Sequence, residues 1–383
     1  MSVHAQTHFS PHQLPGHLIR VLRRHADERP RQPACVHLLN GQGDHASLTY
    51  TQLDRRARAI AARLQDMGFA GQCVLLVYPP GLDFITAFFG CLYAGCVAVP
   101  TCPPHRHRML ERFQAVAADA GARIALSNAP GAAQFQARME ARKSGQAATS
   151  SQLSWLATDE IPDALAERWQ EPAIAPDTLA MLQYTSGSTS RPKGVMLSHA
   201  NLMANIRAIH QAFGIQHGES SVFWLPMHHD MGLVGGLLVP VFSGATNVSI
   251  SPDTFLQSPI TWLAAIGKYR ATISGGPNFA YDLCIRKITD EQRATLDLSS
   301  WALAFVGAEP IEPGTLERFA AAFAPCGFKP GALYPCYGLA EATLMVSGPR
   351  RGSATVASQP TLPLLRVSAT SLPPGKPANT APR

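Results

Sequence analysis

The chain has 383 residues, 46% hydrophobic and 15% charged, enough for a large core and more than one compact unit of about 100 to 200 residues holds, so two or more subdomains are expected. Its net charge of +6 hints at nucleic acid only until the charge is located. Arg350, Arg351, Arg366, Lys376 and Arg383 follow Pro349 with no acid among them, which leaves the body nearly neutral and no nucleic-acid partner expected.

The eight cysteines form no CxxC pair and sit mostly in apolar runs, as reduced, buried thiols do. With no secretory leader evident either, a cytoplasmic location is expected. Thr51 and Asp54 have capping-box spacing ahead of the helical stripe Leu53, Ala57, Ile60, Ala61 and Leu64, which stops near Gly68. Strands are expected at Cys73–Tyr78, Cys96–Val99 and Ile124–Ser127, with helices across Leu82–Tyr93 and Met109–Ala120 between them. This alternation predicts an α/β fold of layered, parallel-rich sheets flanked by helices. The uncharged runs Phe84–Pro104 and Met231–Pro252 are broken by Gly90, Gly95, Gly235, Gly236 and Pro240 and read as buried core, not transmembrane segments.

From about Gln134 to Pro176 the chain is rich in Ala, Ser and Gln with weak periodicity, and an irregular connector is expected. That divides the chain into a first α/β subdomain over 1–176, a second over 177–348 that carries the motifs, and a tail over 349–383. Leu179–Tyr184 is an apolar strand candidate, followed by the polar glycine loop TSGSTSRPKG. Ser198 then caps a helix whose face carries Leu202, Ile206, Ile209 and Phe213. Further strands are expected at Val222–Leu225, Ala271–Ser274, Leu303–Val306 and Ala332–Tyr334.

In the loop, Gly187 and Gly194 let the backbone turn close to an anion. Thr185, Ser186, Ser188 and Thr189 offer donors to phosphate oxygens, and Lys193 adds a positive charge. The string is neither a Walker A loop nor GxGxxG, and no GxSxG elbow occurs. His228, His229 and Asp230 are consecutive, a poor arrangement for three ligands of one transition metal. By residue type alone, Tyr337 fits a core aromatic and Glu341 a helix cap as well as they fit a site, and nothing marks Cys336 as a nucleophile.

The string YTSGSTSRPKGVMLSHANL resembles the phosphate loop of the adenylate-forming superfamily of acyl-CoA synthetases, peptide-synthetase adenylation domains and luciferases. Three more segments follow in that superfamily's order: WLPMHHDMGL at 224–233, VGAEP at 306–310 and YGLAEAT at 337–343. Within it, AGCVAVPTCPP, HHDMGL, SGGPNFAYDLC and Ser190 resemble the fatty acyl-AMP ligases. The resemblance implies ATP-dependent activation of a fatty acid to its acyl-adenylate, with release of pyrophosphate and transfer to an acyl carrier protein or carrier domain.

It further implies that Thr185, Ser186, Gly187, Ser188, Thr189 and Lys193 hold the β- and γ-phosphates, and that Glu341 is a Mg²⁺ ligand. Gly307, Ala308, Glu309, Pro310 and Tyr337 would form the adenine platform. Gly338, Leu339, Ala340 and Thr343 would lie beside the α-phosphate, and His229 beside the acyl carboxylate. Lys193, His229 and Glu341 are thus the expected catalytic residues, with ATP and Mg²⁺ as cofactors. An apolar acyl tunnel is expected along Met231, Leu233, Leu237, Leu238 and Phe279.

After Gly348 the resemblance stops. The family's ribose-binding aspartate motif, hinge and small C-terminal domain, with its lysine, are expected to be absent and activity impaired. A non-catalytic remnant that binds nucleotide or lipid, and an acyl-CoA synthetase fragment, therefore remain open alternatives.

Overall fold

A computed structural model describes residues 16–39, 43, 45–104, 107–143, 153–185, 192–216, 218–349 and 351. Its strands are β1 (Pro33–Leu38), β2 (His45–Thr49), β3 (Cys73–Leu76), β4 (Val97–Pro100), β5 (Ile124–Ser127), β6 (Ser154–Ala157), β7 (Leu179–Thr185) and β8 (Lys193–Ser198). They continue with β9 (Ser220–Phe223), β10 (Thr246–Ile250), β11 (Ile273–Gly276), β12 (Leu303–Val306), β13 (Leu333–Pro335), β14 (Tyr337–Gly338) and β15 (Met345–Ser347).

One sheet runs β13-β12-β11-β9-β10-β1-β2 and a second runs β6-β5-β3-β4-β7-β8. Every pairing in them is parallel except the two edge pairs, β1 with β2 and β7 with β8. The α/β class and the parallel-rich sheets are as expected, and each of the eight expected strands lies within two residues of an observed one.

Residue 176 separates neither sheet. Strands β1 and β2, from the first 50 residues, complete the sheet built by residues 220–335, while β7 and β8 belong to the sheet of residues 73–157. Local composition marks a connector, but strand pairing is decided by non-local burial, and the chain crosses between the sheets more than once. The connector itself is ordered in part: Ala129–Lys143 is helical, Ser154–Ala157 is β6 and Asp163–Arg168 is a 3₁₀ turn.

The helix Tyr50–Asp66 has its cap two residues before the expected one. Thr49 accepts from the Gln52 amide and Gln52 accepts from the Thr49 amide, a reciprocal capping box. Thr51 instead donates to Ala26 O, and buried Asp54 accepts from Arg58 and Tyr93. The stripe Leu53, Ala57, Ile60, Ala61 and Leu64 is wholly buried. It packs against the helix Leu82–Tyr93, where Gly90 permits the approach: a Cβ there would come within 2.6 Å of the Ile60 side chain.

Arg56 on the same helix fastens the connector. Its guanidinium donates to Ile161 O at 2.7 Å, Asp163 Oδ1 at 2.6 Å and Thr158 O at 2.7 Å. Arg56→Met keeps the stem but removes three hydrogen bonds, so a loss of about 2 kcal/mol is expected in denaturant unfolding; an unchanged midpoint would contradict this. Among the described residues, no helix is long and apolar enough to cross a membrane.

Candidate active site

Parallel α/β sheets leave a crevice outside the carboxyl ends of their strands, where loops diverge and backbone groups are unpaired. The chain has a cleft of about 810 Å³ there. Thr185 ends β7, Leu225 and Pro226 follow β9, Pro277 follows β11, Gly307 and Ala308 follow β12, and Cys336 follows β13; all line the cleft.

His229, Tyr337, Gly338, Leu339, Ala340 and Glu341 also line it, so residues from four separate motifs converge. Ser186, Gly187, Ser188 and Thr189 lie outside the described residues. Lys193 begins β8, exposed and in register with Thr185 across the hairpin. Gly194 serves packing: a Cβ there would come within 2.9 Å of the Tyr184 ring.

Glu309, Pro310 and Thr343 do not line the cleft. Glu309 turns away and accepts from the Phe279 amide at 2.6 Å, capping the helix Asn278–Lys287. Thr343 is buried, with a φ of +74°, inside the turn between β14 and β15. Ala308 holds a φ of +68°, a conformation that costs a non-glycine residue about 1 kcal/mol or more and is concentrated at functional sites.

The wall carrying Tyr337 and Glu341 is a hairpin pinned from behind. Asn205 donates to Met345 O at 2.8 Å and accepts from Met345 N at 3.1 Å, which ties β15 to the helix His199–Phe213. Ser198 caps that helix as expected, in a capping box with Asn201. Gly338 is required at the hairpin, because a Cβ would fall on the Leu344 carbonyl oxygen. Sequence reading missed Asn205: one polar residue inside a helix carries no signal of a partner 140 positions away.

Of the expected tunnel residues only Met231 lines the cleft. Leu233, Leu237 and Leu238 are core, and Phe279 is 40% exposed, its ring edge-on to Trp224. The apolar part of the cleft is instead formed by Ile209, Phe213, Leu225, Phe305 and Leu344. The reason is helical geometry: Met231–Leu238 is a π-helical segment, and its other leucines face inward.

His228 and His229 diverge although their rings stand 4.6 Å apart. His229 faces the main cleft, while His228 lines a second cavity of about 290 Å³ with His37, Tyr78 and Met227. Burial lowers the pKa of both; His228 falls to about 3, with the charges of His229 and Arg112 acting in the same direction. Both rings are thus neutral near pH 7. Burial pushes the Asp230 carboxyl up, the Met231 amide opposes this, and the Glu341 charge adds to the rise. The Cys336 thiol, pushed up to about 12 by burial, stays protonated and donates to Val306 O, so it is a poor nucleophile.

Buried His199, held near 4 by burial with the His17 charge adding to the effect, behaves like His228. Both folded pKa values lie below the unfolded value of about 6.5, so between these limits the unfolded chain binds protons that the folded chain refuses. Stability should therefore fall as pH drops from about 6.5 toward 4, by up to about 1.4 kcal/mol per pH unit for each histidine. Denaturant unfolding at pH 7 and pH 5 checks this, and equal stabilities would contradict it.

A partly strained crevice shaped by glycines at the strand ends, with one exposed aromatic ring and a carboxylate in its lining, is where α/β folds hold ligands. Over residues 22–370 the chain matches the AMP-binding enzyme family, to which it belongs. That match continues past Gly348, where the recognisable motifs stop.

The chain is 46% identical over 340 residues to the medium-chain-fatty-acid–[acyl-carrier-protein] ligase JamA of Moorena producens, which covers 88% of this chain and 56% of the relative. Two crystal structures from Legionella pneumophila are similar. A fatty acid AMP ligase aligns with a TM-score of 0.83 at 44% identity, over 88% of this chain and 57% of the other. A fatty acyl-adenylate ligase in complex with acyl adenylate and pyrophosphate aligns with a TM-score of 0.82 at 43% identity, over 88% and 58%. The chain thus spans little more than half the length of these relatives.

Proposed function

We propose that the cleft activates a fatty acid with ATP and Mg²⁺ to give an acyl-adenylate and pyrophosphate, for transfer to an acyl carrier protein or carrier domain in the cytoplasm. The observation that carries this reading is the convergence of Thr185, His229, Gly307, Ala308, Tyr337 and Glu341 on one cleft with an apolar side.

Each part suits a piece of the substrates. The exposed Tyr337 ring offers a stacking face for adenine beside the Gly307–Ala308 turn, and the apolar side takes the acyl chain. The Glu341 carboxylate fits Mg²⁺, which takes one or two carboxylates and completes its octahedron with phosphate oxygens and water. The metal would neutralise charge on the triphosphate.

A carboxylate oxygen of the acid attacks the α-phosphorus in line, the bond to the bridging oxygen breaks, and pyrophosphate leaves with that electron pair. No protein nucleophile and no proton transfer are required, so catalysis rests on alignment and on charge stabilisation. A neutral His229 beside the carboxylate can donate a hydrogen bond without trapping the nucleophile in a tight ion pair. Supplying purified carrier protein or coenzyme A to preformed acyl-adenylate distinguishes the acceptors. Acyl transfer to the carrier alone is expected, and transfer to coenzyme A alone would overturn that part of the reading.

A further inference from the structure

Gln183 has no part in the motifs described so far, yet its side chain is 2% exposed and lines the cleft. It lies on β7 two residues before Thr185, and side chains two apart on a strand share a face. Its Nε2 donates to the carbonyl oxygen of His228 at 2.8 Å. Because a carbonyl can only accept, this bond fixes the amide orientation and leaves Oε1 facing elsewhere. That oxygen is buried and has no hydrogen-bond partner among the described residues.

Among the described residues, this buried amide in the cleft wall has one end satisfied and the other unpaired, an arrangement that carries a penalty of about 1–3 kcal/mol. A methionine of similar volume would avoid it. The satisfied end grips the turn that aims His229. The backbone of this turn is otherwise held by His229 N to Pro226 O at 3.1 Å and Leu233 N to His229 O at 2.8 Å. Gly232 packs on the same turn so closely that a Cβ would fall on the Pro226 carbonyl oxygen.

Resting on the reading of this cleft as an adenylation site, we propose that Gln183 is a positioning residue. It locks the His228–Asp230 turn to the strand that leads into the phosphate loop, so that His229 and the phosphates keep a fixed separation. The Nε2 donor carries that lock, and Oε1 takes no part in it.

Gln183→Met keeps the volume and removes both polar ends; Gln183→Glu keeps the acceptor but loses the donor. The imidazole signal of His229, assigned by its disappearance in His229→Ala, should shift in the NMR spectrum of both variants, while the signals of His37 and His210 stay in place. This readout needs no turnover, so it is independent of the adenylation reading. An unmoved His229 signal in well-folded variants overturns the proposal.

In acyl-adenylate assays, Gln183→Met should lower kcat by about tenfold to a hundredfold with a smaller change in the KM for the fatty acid. Combined with His229→Ala, it should add little further loss, since it acts through that ring. Strictly multiplicative losses in the double variant would also overturn it. If the wild-type chain makes no acyl-adenylate, the functional reading fails and the NMR arm still decides the role of Gln183.

Discussion

Replacing Glu341 with glutamine is expected to cut acyl-adenylate formation by about a hundredfold to a thousandfold while leaving the melting midpoint unchanged. Glu341 is the exposed residue of the 3₁₀ turn Ala340–Ala342 in the cleft lining, so its side chain supports no core packing. Glutamine has the same length and keeps one oxygen, but it lacks the charge that would hold Mg²⁺ against the phosphates in the proposed reaction. The loss should appear both as a lower rate at saturating ATP and as a higher Mg²⁺ requirement. Initial rates across a Mg²⁺ titration read both. A variant with wild-type rate and Mg²⁺ dependence would remove Glu341 from the metal's coordination.

Trp262→Ala should have the largest effect on stability, about 3–5 kcal/mol. Trp262 is fully buried and packs edge-on against Trp224, Phe255, Tyr281 and Trp301, with ring centroids 5.4–6.1 Å apart. Its indole nitrogen donates to Ser274 Oγ at 2.7 Å. Alanine therefore opens a large cavity and frees a buried hydroxyl from one partner. The site feels this because Trp224 leads into the Pro226–Asp230 turn and Ser274 lies on β11, which ends just before Pro277 in the cleft wall. A destabilisation below about 1 kcal/mol in denaturant unfolding would show that the aromatic cluster is not what holds these strands.

The sequence was most legible where one local rule decides the outcome. Strands β5 and β12 stand at their expected bounds because short apolar runs between turn residues admit little else. Ser198 is a cap because the helix behind it has a clean stripe. Where long-range contacts decide, local reading fails. Strand β1 begins at Pro33 and contains His37, whose ring is matched by Ser249 on β10, 212 residues away. Strand β10 hides within an uncharged run that lacks any period. The cap at Thr49 was misplaced by two residues because Thr51 and Asp54 mimic the same spacing.

The site shows the same division. Ordered motifs brought His229, Gly307, Ala308, Tyr337 and Glu341 to the cleft, since each lies in the segment that follows a strand of the larger sheet. They could not say which side chains of a motif turn inward, so Glu309 became a helix cap and Thr343 a strained turn residue. The apolar wall of the cleft was misread for a related reason. Leu233, Leu237 and Leu238 are apolar, but only π-helical phasing reveals that they face the core.

On the proposed reading, this cleft joins a fatty acid to AMP. Incubating the chain with ATP, Mg²⁺ and fatty acids of increasing length, with product masses followed over time, tests it most directly. Acyl-adenylate and pyrophosphate should appear in equal amounts, and both should be lost in Lys193→Ala. Absence of acyl-adenylate with every acid, or ATP cleavage that needs no acid, would contradict the claim.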